Sequence, residues 1–82
     1  MATNRYFFNI ITSSGAVTDI EGSELPSLEQ ARAEAVVDAR VLMSDAIRSG
    51  IDISGRSMEI CDDAGQCLLI VPFREAILHT EE

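Results

Sequence analysis

The 82 residues include six arginines, no lysine and fourteen acidic side chains, for a net charge of −8, and 46% of them are hydrophobic. That composition describes one small globular domain rather than a disordered chain. A field of this sign repels phosphate backbones and anionic bilayers, so neither a nucleic-acid partner nor a membrane is expected.

The arginines are scattered and form no basic run. An acidic surface of this kind suits solubility or a basic protein partner. Residues Met1 to Asn4 hold no basic segment, and the apolar run Tyr6 to Ile11 is broken by Asn9. That run is too short for a signal peptide or a membrane span, so the expectation is a cytoplasmic protein. A core this small leaves a thin stability margin, which favours self-association before any motif is considered.

Arg5 to Thr12 is rich in aromatic and β-branched residues and reads as the first strand. Ser13-Ser14-Gly15 reads as a turn, and Ala16 to Ile20 as a short returning strand. Glu21 to Pro26 reads as a loop, because Gly22 breaks the pattern and Pro26 lacks a backbone donor. Ser27 and Gln30 make a capping box that opens one long helix, predicted from Leu28 to Ser49, with Gly50 just beyond its end. Leu28, Ala31, Ala35, Ala39, Leu42 and Ala46 share one face of that helix. The alanines allow close approach to a sheet. Val37 and Val41 lie on the opposite side.

Ser57 to Asp62 alternates as a third strand, Asp62 to Gly65 makes a tight turn, and Gln66 to Phe73 returns as a fourth. Pro72 marks the end of that strand, and Arg74 to His79 is predicted as a last short helix. The fold class is therefore α+β: a two-layer sandwich in the order β-β-α-β-β(-α). About four antiparallel strands are covered on one face by one long helix within a single domain, 1–82.

A three-residue hairpin bulge at Gly65 pairs Cys61 with Cys67, then Ile60 with Leu68 and Met58 with Ile70. On that register Leu68 and Ile70 join Phe8 in the core, and Glu59, Cys61, Cys67, Leu69 and Val71 face away from the helix with Phe7 and Ile11. The second face is not cleanly polar and needs a cover, either the last helix through Ala76 and Ile77 or a second copy of the chain. Phe7, Ile11, Leu69, Val71, Val37 and Val41 are thus the candidate interface residues.

The sequence pattern assigns no catalytic, cofactor-binding or metal-ligating residue. Cys61 and Cys67 are spaced C-x5-C, outside the usual redox and zinc patterns, and read as small half-buried hydrophobes or a cross-strand disulfide. His79 is the single histidine and has no second ligand near it in sequence. Asp19, Glu21 and Glu24 form one acidic loop and Asp62 with Asp63 another, at spacings that match no calcium loop. Ser13 and Ser14 offer hydroxyls with no histidine in a recognisable pattern.

Several stretches resemble a family of short uncharacterised proteins common in rhizobia and related alphaproteobacteria. They are Arg5-Tyr6-Phe7-Phe8-Asn9-Ile10, Glu21-Gly22-x-Glu24-Leu25-Pro26-x-Leu28-Glu29-x-Ala31-Arg32-x-Glu34-Ala35, Gly55-Arg56, Asp63-x-Gly65 and Val71-Pro72-Phe73-Arg74. The resemblance implies a bacterial cytosolic protein and carries over no site residues. The family pattern has aspartate where this chain has Asn9. Leu28-Glu29-Gln30-Ala31, opening a helix after a strand pair, is also similar to the HicB-type antitoxin fold, at the level of fold alone.

The sequence thus points to a non-enzymatic protein-interaction module that forms homodimers and offers its acidic surface to a basic protein. The alternative is a small-ligand binder or enzyme that uses the acidic loops or the cysteines.

Overall fold

The computed structural model describes residues 2–77. It holds β1 (Asn4–Thr12), β2 (Gly15–Val17), β3 (Ser23–Leu25), α1 (Leu28–Arg48), β4 (Ser57–Cys61), β5 (Cys67–Pro72) and a 3-10 turn at Phe73–Ala76. The sheet runs β2-β1-β4-β5, with β3 also paired to β1 and every pairing antiparallel. This is the expected α+β sandwich with five strands rather than four.

The added strand comes from the segment read as a loop. β2 stops at Val17, short of the predicted Ile20, and Ser23–Leu25 then pairs with Asn4–Tyr6. Between the two, Asp19 replaces the missing ladder. Its carboxylate accepts the backbone N–H of Phe8 at 3.1 Å, Glu21 at 3.2 Å and Gly22 at 3.1 Å, while Asn9 Oδ1 accepts the N–H of Asp19. An aspartate satisfies backbone donors that strand pairing leaves open.

Helix α1 begins and ends as its chemistry requires. Ser27 Oγ accepts the N–H of Gln30, the serine half of the capping box. At the other end Gly50 has φ +79°, its N–H bonds to the Ile47 carbonyl, and Ile51 N–H reaches back to Ala46. That pair of bonds is a Schellman motif, which makes Ser49 the cap rather than a helical residue.

Ala31, Ala35 and Ala39 are fully buried against the sheet, with Leu28, Val36, Leu42 and Met43 around them. Under them lie Tyr6, Met58, Ile60, Val71 and Phe73, with Phe8, Ile10 and Leu69 at the margin. Val37 stays exposed on the far side of the helix, while Val41, also exposed, lines the cleft between α1 and the sheet beside Phe8, Ile10 and Met58. Among the described residues, no helix is long and apolar enough to cross a membrane.

Two expectations are corrected by register. Cys61 does face Cys67, Asp62 N–H bonds to the Gln66 carbonyl, and Gly65 has φ +83°. A bulge next to Cys61 then shifts the ladder by one residue, so that Ile60 pairs with Leu69 and Met58 with Val71. One residue of slip inverts the side chains of β5 that follow Cys67. Val71 is 2% exposed and Leu69 packs on the core, while Leu68 and Ile70 turn outward, Ile70 to 55%. Ile70 therefore leaves the core that holds Phe8. Val71 and Leu69 leave the set of candidate interface residues.

Within the described residues, Phe73–Ala76 is a single 3-10 turn and Ile77 is extended, so the helix predicted from Arg74 does not form there; its end, with Leu78 to Glu82, lies outside the described residues. Ala76 is buried beside α1, and Arg40 Nε donates to its carbonyl at 2.6 Å. The turn thus closes the helix-covered layer and does not cover the second face.

Candidate functional site

The sheet face turned away from α1 is assembled from alternate residues of β1, β4 and β5. The ladder registers set three rows across it: Phe7, Cys61 and Cys67; Asn9, Glu59 and Ile70; Ile11, Ser57 and Pro72. Arg5 and Glu24 flank the first row, 3.5 Å apart in an exposed ion pair. Among the described residues, neither α1 nor the 3-10 turn lies over these rows. Phe7 and Ile11 are half-buried, Leu68 and Ile70 are exposed, and Cys61 is buried within the layer. Antiparallel sheets commonly leave one face to water, but such a face alternates to polar side chains. This one keeps an apolar frame around a polar middle.

Gly22 fixes how the rim of this face is built. It has φ +72°, and a Cβ placed there would lie 2.9 Å from Arg5 Cγ, Phe7 Cε2 and the Tyr6 carbonyl oxygen. Both the conformation and the space require glycine. Gly22→Ala is expected to lower stability by about 1–3 kcal/mol through backbone strain and displacement of Phe7. An unchanged urea midpoint for that variant would contradict the packing described here.

The polar middle is a connected group. Asn9 Nδ2 donates to Glu59 Oε1 at 3.2 Å and to Cys61 Sγ at 3.6 Å. A carboxylate oxygen of Glu59 and the sulfurs of Cys61 and Cys67 all lie within 4.8 Å of one another. The Asn9 amide, and then the Cys61 thiol, hold the Glu59 carboxyl below its ordinary value. Burial first, and the neighbouring Glu59 next, push the Cys61 thiol up to about 11. Both cysteines are free thiols.

Beside this group is a shallow cleft of about 300 Å³ lined by Phe7, Asn9, Cys61 and the carboxylates of Asp19, Glu59, Asp62 and Asp63. No basic side chain is among the described residues that line it. The two acidic segments of the sequence thus meet here in part: Asp19 joins Asp62 and Asp63, while Glu24 turns to Arg5 and Glu21 stays apart. Asp62 Oδ1 is occupied by the N–H groups of Ala64 and Gln66, and Asp19 by its three donors. These carboxylates shape turns and leave a negative potential at the cleft.

Of the residues expected at an interface, Phe7 and Ile11 share this face. Val37, on the far side of α1, and Val41, on the flank of α1 over the opposite sheet face, lie away from it. His79 lies outside the described residues. Sequence reasoning put Glu59 and the two cysteines on one sheet face but did not join them as a ligand set. The signal was present: Glu59 stands two residues before Cys61, so both share a strand face, and the hairpin brings Cys67 opposite. A second cleft of about 410 Å³, largely apolar, lies between the end of α1 and the following loop, lined by Met43, Ile47, Ile51, Ile53 and Ile77.

A family model described as Domain of unknown function (DUF6894) matches residues 5–74. No curated protein and no solved structure matches the chain.

Proposed function

We propose that this chain, which belongs to the DUF6894 family, works as a small protein-interaction module that pairs with a second copy of itself through the open sheet face. The observation that supports this reading is the apolar frame of that face. Ile70 is 55% exposed and Leu68 37%, on a surface continuous with Phe7 and Ile11. Packing two such faces in an isologous contact would remove these side chains from water and bring the Asn9–Glu59 pair of each copy near the axis.

A non-enzymatic role is supported by the use of the carboxylates: Asp19 and Asp62 are engaged with backbone donors rather than held free for proton transfer. The remaining acidic surface, part of a net charge of −8, suits a basic protein as a further partner. The likeness of its motifs to alphaproteobacterial sequences supports a bacterial, cytoplasmic setting.

Sedimentation equilibrium at tens of micromolar tests the pairing. The expected result is the mass of two chains, with association strengthening as salt screens the repulsion between two chains of like charge. Ile70→Glu, at an exposed position, should return the mass of one chain while leaving the unfolding midpoint nearly unchanged. A wild-type mass of one chain at every salt concentration would overturn the reading, as would an Ile70→Glu variant that pairs as well as the parent.

A further inference from the structure

The geometry points to a metal site at Glu59, Cys61 and Cys67, built for a zinc-class divalent cation with three protein ligands and one open position. The cluster lies within one chain but on the face proposed for pairing, so ions bound per chain and the mass in solution are read as separate results.

The ligand atoms of the three side chains lie within 4.8 Å of one another. Two thiolates on a tetrahedral zinc, each at about 2.3 Å, stand roughly 3.8 Å apart, so small side-chain rotations close the shell. The backbone already holds the ligands in place. Glu59 and Cys61 are alternate residues of one strand, and Cys67 is the ladder partner of Cys61. Two sulfurs select against magnesium and calcium, which take oxygen ligands, and favour zinc.

Three further features suit a cation. Asn9 donates to both Glu59 and Cys61, so it orients two of the three ligands and acts as a positioning residue. The carboxylates of Asp19, Asp62 and Asp63 line the adjoining cleft and add negative potential. Cys61 is buried while Cys67 is exposed, which gives the ion a protected ligand and an entry side. On binding, each thiol releases its proton to solvent as its sulfur takes the metal.

Cobalt(II) is the probe, titrated into the full chain under a non-coordinating reductant, followed by zinc in competition with a chromogenic chelator. The expected result is one cobalt per chain, with thiolate-to-cobalt charge-transfer absorption and tetrahedral visible bands that zinc abolishes. Cys67→Ser, at an exposed position, should cut the charge-transfer band by about half. It should also weaken zinc binding by more than the roughly 10–100-fold expected of Asn9→Ala, which removes only support. Glu59→Gln should keep the thiolate band and shift the visible bands. Cobalt that binds without a thiolate band overturns the site, as does zinc affinity unchanged in Cys67→Ser or a stoichiometry of one ion to two chains. Circular dichroism of each variant shows that the fold persists, and Cys67→Ser decides the matter if Cys61→Ser unfolds.

Discussion

Phe73→Ala lowers the free energy of unfolding by about 3–5 kcal/mol, the cost of truncating a fully buried aromatic side chain. Phe73 is one of the two largest side chains with no exposure, the other being Ile60. It follows β5 directly, and its N–H bonds to the Arg56 carbonyl at 2.9 Å, so its backbone is pinned at the sheet end. Its neighbours across the layer are the buried alanines of α1. An alanine has no side chain to rotate into a void, so the cavity does not collapse well and the cost falls toward the upper end. Domains of this size have about half a dozen kcal/mol in hand, so the variant stands near its unfolding threshold at room temperature. Urea denaturation measures the effect as a fall in midpoint at constant slope. A loss below about 1 kcal/mol would mean that Phe73 is not the centre of this core.

Asp19→Ala lowers stability by about 2 kcal/mol near neutral pH, and the deficit shrinks in acid. Three backbone N–H groups lose a charged acceptor at once, and part of that loss is recovered from water at this partly exposed site. Burial pushes the Asp19 carboxyl up, but the N–H groups of Phe8, Gly22 and Glu21 together hold it below its ordinary value. A carboxylate with a lowered folded value contributes stability that is fully present above the unfolded value of about 3.9. That contribution is lost as pH falls through the folded value. Unfolding midpoints of the parent and of Asp19→Ala, measured from neutral to strongly acidic pH, should therefore converge at the acid end. Asp38, in the neighbouring cleft between α1 and β1, shifts the other way, raised by burial and then by Glu34. It is common to both chains and cancels in their difference. A gap that stays constant into strong acid would remove the charged carboxylate as the cause.

The difference between the expected and observed strands lies in this same residue. Nothing local marks Ser23–Leu25 as a strand: it is three residues long, follows a glycine, and carries a serine and a glutamate. It pairs because Asp19 bridges the gap after β2 and returns the chain to β1 in alignment. That bridge depends on Phe8 and Asn9, eleven and ten residues away, and no local propensity reports it. The Glu59–Cys61–Cys67 group was nearer to hand, since two of its members alternate on one strand and the third is a hairpin partner.

The amino-acid order alone determined what depends on near neighbours. Ser27 and Gly50 bound the helix, the alanine spacing chooses its inner face, and Gly65 turns the hairpin so that Cys61 meets Cys67. These are contacts within a few residues, where conformational preference and side-chain period act directly. Only the tertiary structure decided which side of β5 enters the core. An alternating strand with apolar residues on both sides fits either register almost equally well. The choice fell to the bulge next to Cys61, which lets Val71 and Leu69 fill the space under the alanines and sends Ile70 to the open face.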